Sequence, residues 1–124
     1  MEEDVSYQVI GCAYKIHSAL GAGLYESVYE RALMHEFKKM GIKAENQVPI
    51  EVIYDGESLG EAYKADIIVN DELIIELKSV EELKPIHFKQ LLTYLKLSGK
   101  KVGLLINFNE VDLKKGIHRV VNDF

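Results

Sequence analysis

The chain of 124 residues has a single cysteine, Cys12, so no internal disulfide can form. So sparing a use of thiols fits a reducing cytoplasm. No apolar run approaches the roughly 20 residues needed to cross a bilayer. The opening Met1-Glu2-Glu3-Asp4 is acidic where a secretory signal would be basic. A cytoplasmic protein with no membrane partner is therefore expected. Zinc-ligand spacings and a Gly-rich phosphate loop are also missing, and the sequence offers Cys12 no base partner. Without repeats, linkers or low-complexity segments, the chain reads as one domain, residues 1–124.

Basic charge is scarce too. The formal net charge of −5 argues against a protein that coats nucleic acid indiscriminately. The distribution is uneven, however. Residues 1–80 carry 7 basic and 15 acidic side chains, a net of −8, whereas residues 81–124 carry 8 basic and 5 acidic, a net of +3. Such a basic final third could guide a phosphate backbone, or could be an ordinary mixed surface.

What is present centres on the stretch Glu61–Val80. Tyr63–Val69 and Leu73–Val80 read as strands, apolar on both faces, with the polar break Asn70-Asp71-Glu72 between them. A three-residue loop pairs Val69 with Leu73, which sets Asp66 opposite Glu76 and Lys64 opposite Lys78. Side chains alternate across a strand, so Glu76 and Lys78 share a face. Two carboxylates about 5 Å apart on a covered sheet repel each other unless a positive charge lies between them. A divalent cation is one solution. A buried ion cluster with Lys64 and Lys78 is another.

Asp66, followed at nine residues by Glu76-Leu77-Lys78, resembles the D…E-x-K core of the PD-(D/E)XK phosphodiesterase superfamily. Gly23-Leu24-Tyr25-Glu26-Ser27-Val28-Tyr29 resembles the G-x-x-E-x-x-Y signature of one small-protein family within it, and Gln90 with Tyr94 is similar to a Q-x-x-x-Y element of some exonuclease branches. The match runs from about Ile16 to Asn109. It implies an α/β fold: a three-layer α/β/α sandwich with a central mixed sheet, of the restriction-endonuclease-like kind. It further implies hydrolysis of nucleic acid, DNA more than RNA, with Mg²⁺ or Mn²⁺. On this resemblance Asp66, Glu76 and the Leu77 carbonyl hold the metal, Glu26 completes its site, and Lys78 orients the attacking water or stabilises transition-state charge. Gln90 and Tyr94, four apart on one helix face, would hold the water, the lysine or a phosphate.

The remaining chain is read from its periodicity. Asp4–Leu20 is expected to be a helix capped by Asp4, with Val5, Val9, Cys12, Ala13, Ile16 and Leu20 buried. His17 lies near its end, as a helix-terminal histidine or a phosphate contact. A second helix is expected from Gly23 as cap to Met40, stopped by Gly41, with Leu24, Val28, Leu33, Phe37 and Met40 inward. That places Glu26 at its third position, where a carboxylate also has a capping role. Tyr29 is then a core ring or part of the site's wall.

Ile42–Gln47 reads as a connection, Val48–Tyr54 as a strand with Pro49 near its start, and Asp55-Gly56 as a hairpin turn. Pro85–Leu97 is a helix carrying His87, Gln90 and Tyr94, and Val102–Asn107 a buried strand. Val111–Phe124 has no clear pattern. Against the nuclease stands a non-enzyme, a nucleic-acid-binding or protein-interaction module that keeps the fold without the chemistry. So short a nuclease has little surface for gripping a duplex, which leaves the oligomeric state open and is compatible with a homodimer.

Overall fold

The computed structural model describes residues 2–122, with side chains from Val5 onward. Helix α1 spans Glu2–Leu20 and α2 spans Glu26–Met40; β1 is Ala44–Tyr54, β2 Glu57–Val69 and β3 Leu73–Lys78. Helix α3 (Pro85–Ser98) leads to β4 (Val102–Asn107), a short 3-10 turn at Leu113–Gly116 and β5 (Ile117–Val121). This is an α/β protein with a five-stranded mixed sheet and three helices. The sheet order is β1-β2-β3-β4-β5, and β3–β4 is its parallel pair. That pair is joined by α3, because parallel neighbours need a long crossover.

Two apolar clusters cover the sheet. One joins α1 and α2 (Val9, Ala13, Leu33, Phe37) to Ile67, Ile75, Leu77, Leu104 and Ile106. The other joins α3 (Leu91, Tyr94, Leu95) to Ile50, Ile68, Ile74 and Leu105. Alternation along β3 sends Ile75 and Leu77 to the first cluster and Ile74 to the second. Each fully buried Ile or Leu contributes about 1.5–3 kcal/mol.

The start of α2 differs from expectation. Gly23 does not cap it; Gly21 and Gly23 sit in a loop at φ 75° and 92°, and Glu26 is the first helical residue. The loop is fixed by Tyr29, whose hydroxyl donates to the Gly21 carbonyl at 2.6 Å and accepts from the Leu24 N–H at 3.1 Å. Its ring stacks on Phe108 with centroids 4.3 Å apart. The inward stripe of α2 is consequently Tyr29, Leu33 and Phe37, while Val28 and Met40 are exposed. Leu20 of α1 is also exposed. Asp4 lies within α1 rather than before it, and its side chain is outside the described residues.

Further along, residues Ala44–Gln47 extend β1 rather than connecting to it. Pro49 falls mid-strand, which is tolerated because β1 is an edge strand. Asp55 and Gly56 take the positive φ values of a tight hairpin, 53° and 77°. The tail at 117–121, without a clear pattern in sequence, closes the other edge of the sheet by pairing antiparallel with β4.

Candidate functional site

β2 and β3 pair in the expected register: Val69 with Leu73, Ile68 with Ile74 and Ile67 with Ile75. There the ladder stops. One residue further, backbone donors find side chains instead of carbonyls. The Asp66 N–H donates to Glu76 Oε2 at 2.9 Å, and the Leu77 N–H donates to Asp66 Oδ2 at 2.8 Å. Each carboxylate is thus held by the other strand, in the opening between them. Among the described residues, Asp66 Oδ1 and Glu76 Oε1 take part in no hydrogen bond. The N–H and C=O of a residue leave the same edge of a strand, so the Leu77 carbonyl also faces the opening.

Electrostatics make this pair costly without a cation. Glu76 is buried and pushed up to about 8, first by burial and then by the Asp66 charge. Asp66 is raised as well: burial is the main cause, opposed by the Leu77 N–H and reinforced by Glu30 and Glu26. Neither carboxylate forms a salt bridge among the described residues. The ion cluster with Lys64 does not form. Because the strands diverge beyond Ile67, Lys64 does not face Lys78; it pairs across to Pro49 and is exposed.

Lys78 ends β3, half-buried. Its ammonium donates to Gln90 Oε1 at 3.3 Å, and Gln90 Nε2 donates to Tyr94 Oη at 3.0 Å. The two α3 residues therefore meet the E-x-K strand through a chain of hydrogen bonds, with Tyr94 packed in the core. Burial and the Glu76 charge push the Tyr94 phenol up.

Glu26 comes from the other side. Its Oε2 accepts from the Ser79 N–H at 3.3 Å, and the Ser79 hydroxyl donates to the Leu24 carbonyl at 2.6 Å. Its charge reaches both Asp66 and Glu76. The described residues contain no set of three or more His, Cys, Asp or Glu side chains compact enough to hold an ion. Glu26 thus lies beside the carboxylate pair without completing a triad. His87 also flanks the site: its Nδ1 accepts from the Lys84 N–H at 2.9 Å, and burial, then Lys78 and Lys84, lower its pKa. His17 is structural, its Nε2 bonded to the Glu110 carbonyl at 2.7 Å.

Three contributors were not evident in sequence. β3 ends at Lys78, not Val80, because Ser79 is captured by the α2 loop and Val80 by Asn107. The fully buried Asn107 accepts from the Val80 and Asn109 N–H groups and donates to the Val80 carbonyl. An amide closing the apolar run VGLLIN was the available signal. Glu30, one turn after Glu26 and so on the same helix face, is gripped by Asn46 at 3.0 Å and Gln47 at 2.7 Å. Gln47 holds a positive φ of 51° inside a strand, a strained state that persists only where its surroundings impose it.

A family model of the PD-(D/E)XK nuclease superfamily matches residues 3–120. The chain belongs to that superfamily. Its fold is similar to the crystal structure of SSO0001, with a TM-score of 0.54 and 23% identity over 79% of this chain. The likeness is one of fold, and this chain spans half the length of that one. No curated protein matches. Superfamily members typically use divalent metals, and the donors here suit a hard cation: two carboxylates with unused oxygens and a carbonyl edge. Mg²⁺ is usually held by one or two carboxylates plus water and substrate phosphate rather than by an all-protein cage. Among the described residues, no helix is long and apolar enough to cross a membrane.

Proposed function

We propose that this chain is a metal-dependent phosphodiesterase acting on nucleic acid, DNA in preference to RNA, and that it belongs to the G-x-x-E-x-x-Y branch of its superfamily. On this reading residues 1–124 form one restriction-endonuclease-like domain, a three-layer α/β/α sandwich. The observation that carries the reading is the opening between β2 and β3. Two carboxylates, Glu76 buried and Asp66 half-buried, are interleaved there with no salt bridge among the described residues, beside a lysine already held in place.

Asp66 Oδ1, Glu76 Oε1 and the Leu77 carbonyl would hold Mg²⁺ or Mn²⁺, with Glu26 contributing through water. When bound, the ion polarises the phosphoryl oxygen and lowers the pKa of water at the site. Lys78 places its ammonium against the charge that develops on the phosphorane oxygens, where a preorganised donor is worth most. Gln90 fixes that ammonium and Tyr94 fixes Gln90. The Gly21–Tyr25 loop, braced by Tyr29, presents Glu26.

The test is incubation of plasmid, linear duplex and single-stranded DNA and of RNA with the purified protein, in Mn²⁺, in Mg²⁺ and with chelator. Cleavage that needs the metal and is lost in Asp66→Asn supports the proposal. Absence of cleavage, together with no Mn²⁺ binding by calorimetry, favours the binding or interaction module instead.

A further inference from the structure

The hairpin formed by β1 and β2 runs well past the sheet. Among the described residues β2 pairs with β3 over Ile67–Val69 alone, so from Asp66 back to Glu57 its second edge has no partner strand there. Every residue of Glu57–Lys64 is exposed. The arm carries large apolar side chains into solvent: Ile53, Tyr54, Leu59 and Tyr63. From Glu51 to Lys64 it has four acidic side chains, Glu51, Asp55, Glu57 and Glu61, against a single basic one, Lys64.

Two of these carboxylates are placed against each other. Glu51 lies directly opposite Glu61 in the ladder, an arrangement that destabilises a strand pair when nothing neutralises it. Among the described residues neither forms a salt bridge. The Ser58 hydroxyl donates to Glu51 at 2.6 Å but brings no charge. An acidic, apolar arm of this kind repels nucleic acid and calls for a basic partner.

That basic surface exists on the same chain. Helix α3 has no acidic residue. Lys89, Thr93 and Lys96, spaced four and three apart, form an exposed face, and neither lysine forms a salt bridge among the described residues. The exposed Ile86 continues this face. Between the arm and α3 lies an apolar cavity of about 390 Å³ lined by Val52, Leu59, Ala62, Tyr63, Thr93 and Leu97. Arm and basic face thus adjoin one groove, so a single patch carries both signs of charge, and a two-fold contact sets each sign against the other.

We propose that two copies of this chain form a two-fold dimer in which the acidic β1–β2 arm of each seats on the Lys89–Thr93–Lys96 face of the other. Glu51 and Glu61 then meet lysines, and the apolar grooves lined by Leu59 and Tyr63 are covered by the partner copy. The inference stands apart from the nuclease reading, since it uses none of the residues assigned to chemistry.

The test is sedimentation equilibrium of the full chain across the micromolar range. Wild type should dimerise, more weakly as salt rises because exposed charge pairs are screened. Glu51→Lys/Glu61→Lys and Lys89→Glu/Lys96→Glu should each raise the dimerisation midpoint by about tenfold or more. Mixed together, the two variants should form a heterodimer, because each then presents the charge that the other lacks at both contacts. Should a reversal variant fail to fold by its thermal melt, Glu61→Gln and Lys96→Gln should flatten the salt dependence instead. A wild type that is monomeric throughout, a dimer indifferent to these changes, or variants that do not pair when mixed overturns the proposal.

Discussion

β2 and β3 are one hairpin with two unlike ends. At the closed end, Ile67–Val69 and Leu73–Ile75 satisfy each other's backbone and bury apolar side chains on both faces. At the open end, one residue further, backbone donors bond to Asp66 and Glu76 side chains, and a lysine stands in place of an apolar residue. The closed end follows the rules that stabilise a sheet. The open end departs from them within the same two strands, replacing a ladder rung with two carboxylates that burial disfavours. Local departures of this kind, in an otherwise consistent fold, are where function is expected. Changes at the two ends should therefore have opposite signatures.

The largest effect should come from Lys78→Ala at the open end. Its ammonium acts on transition-state charge, so cleavage should slow by about 10³-fold, of the order seen when one preorganised donor is removed, with Mn²⁺ affinity nearly unchanged. Single-turnover cleavage and calorimetry, read side by side, check both halves. Wild-type cleavage by the variant would place the chemistry elsewhere.

Next comes the contrast in stability. Ile75→Ala empties a fully buried position of the closed end and should cost about 2–5 kcal/mol, with or without metal. Asp66→Asn keeps its shape and an acceptor for the Leu77 N–H while removing one negative charge. The metal-free protein should become more stable by about 0.5–2 kcal/mol. Saturating Mn²⁺ should stabilise wild type, by about 2.7 kcal/mol at one hundred times Kd, and leave Asp66→Asn nearly unmoved. Thermal melts with chelator and with Mn²⁺ give all four values. A large loss of stability in chelated Asp66→Asn would mean that its charge has a partner, against the geometry described.

The register of this hairpin was legible because loop length and two-residue alternation suffice to set Val69 against Leu73. Where the ladder ends was not. Lys64 falls opposite Lys78 only if pairing continues past Ile67, and nothing in EAYKADIIV marks the residue at which the two strands part. The two-faced apolar runs also revealed the central sheet and its covering helices. A glycine before an apolar run resembles a cap, so local pattern starts α2 too early, whereas Gly23 serves a loop that Tyr29 pins from inside the core. The pairing of Ile117–Val121 with β4, and the hold of Asn107 on Val80, are long-range contacts that local pattern does not encode. Of the candidate site, Asp66, Glu76, Leu77, Lys78, Gln90 and Tyr94 were readable from motif spacing. The support from Ser79 and Glu30 was not, because serine and glutamate on exposed turns and helices look ordinary.

A pH series sharpens the comparison again. Burial, and then the Asp66 charge, push Glu76 up to about 8 in the folded protein, against about 4.3 in an unfolded chain. A raised carboxyl means that the folded state binds more protons between those values. Stability should be greatest below the unfolded pKa and should fall as pH rises toward 8. Asp66, raised as well, contributes in the same direction. In Glu76→Gln most of this slope should vanish, leaving the variant more stable than metal-free wild type above pH 8 by roughly 1–3 kcal/mol. Chemical denaturation at several pH values, in chelator, reads it directly. Ile75→Ala should keep the wild-type slope, since the closed end holds no titrating group.

The smallest effect belongs to Tyr94→Phe, which tests how far the open end extends into α3. The hydroxyl accepts one hydrogen bond from Gln90, which in turn accepts from Lys78. Removing it leaves the ring packed beside Tyr63 and frees the Gln90 amide to rotate. A neutral hydrogen bond contributes about 1 kcal/mol net, so stability should fall by no more than that. Cleavage should slow by roughly fivefold, the factor that corresponds to the same energy. Mn²⁺ affinity should not move, because no metal donor is touched. Since burial keeps the phenol protonated well past neutral pH, the ratio of variant to wild-type rate should also be flat from pH 6 to 9. A rate loss as large as that of Lys78→Ala would show that Tyr94 touches the reacting phosphate itself, rather than acting through Gln90 on the lysine.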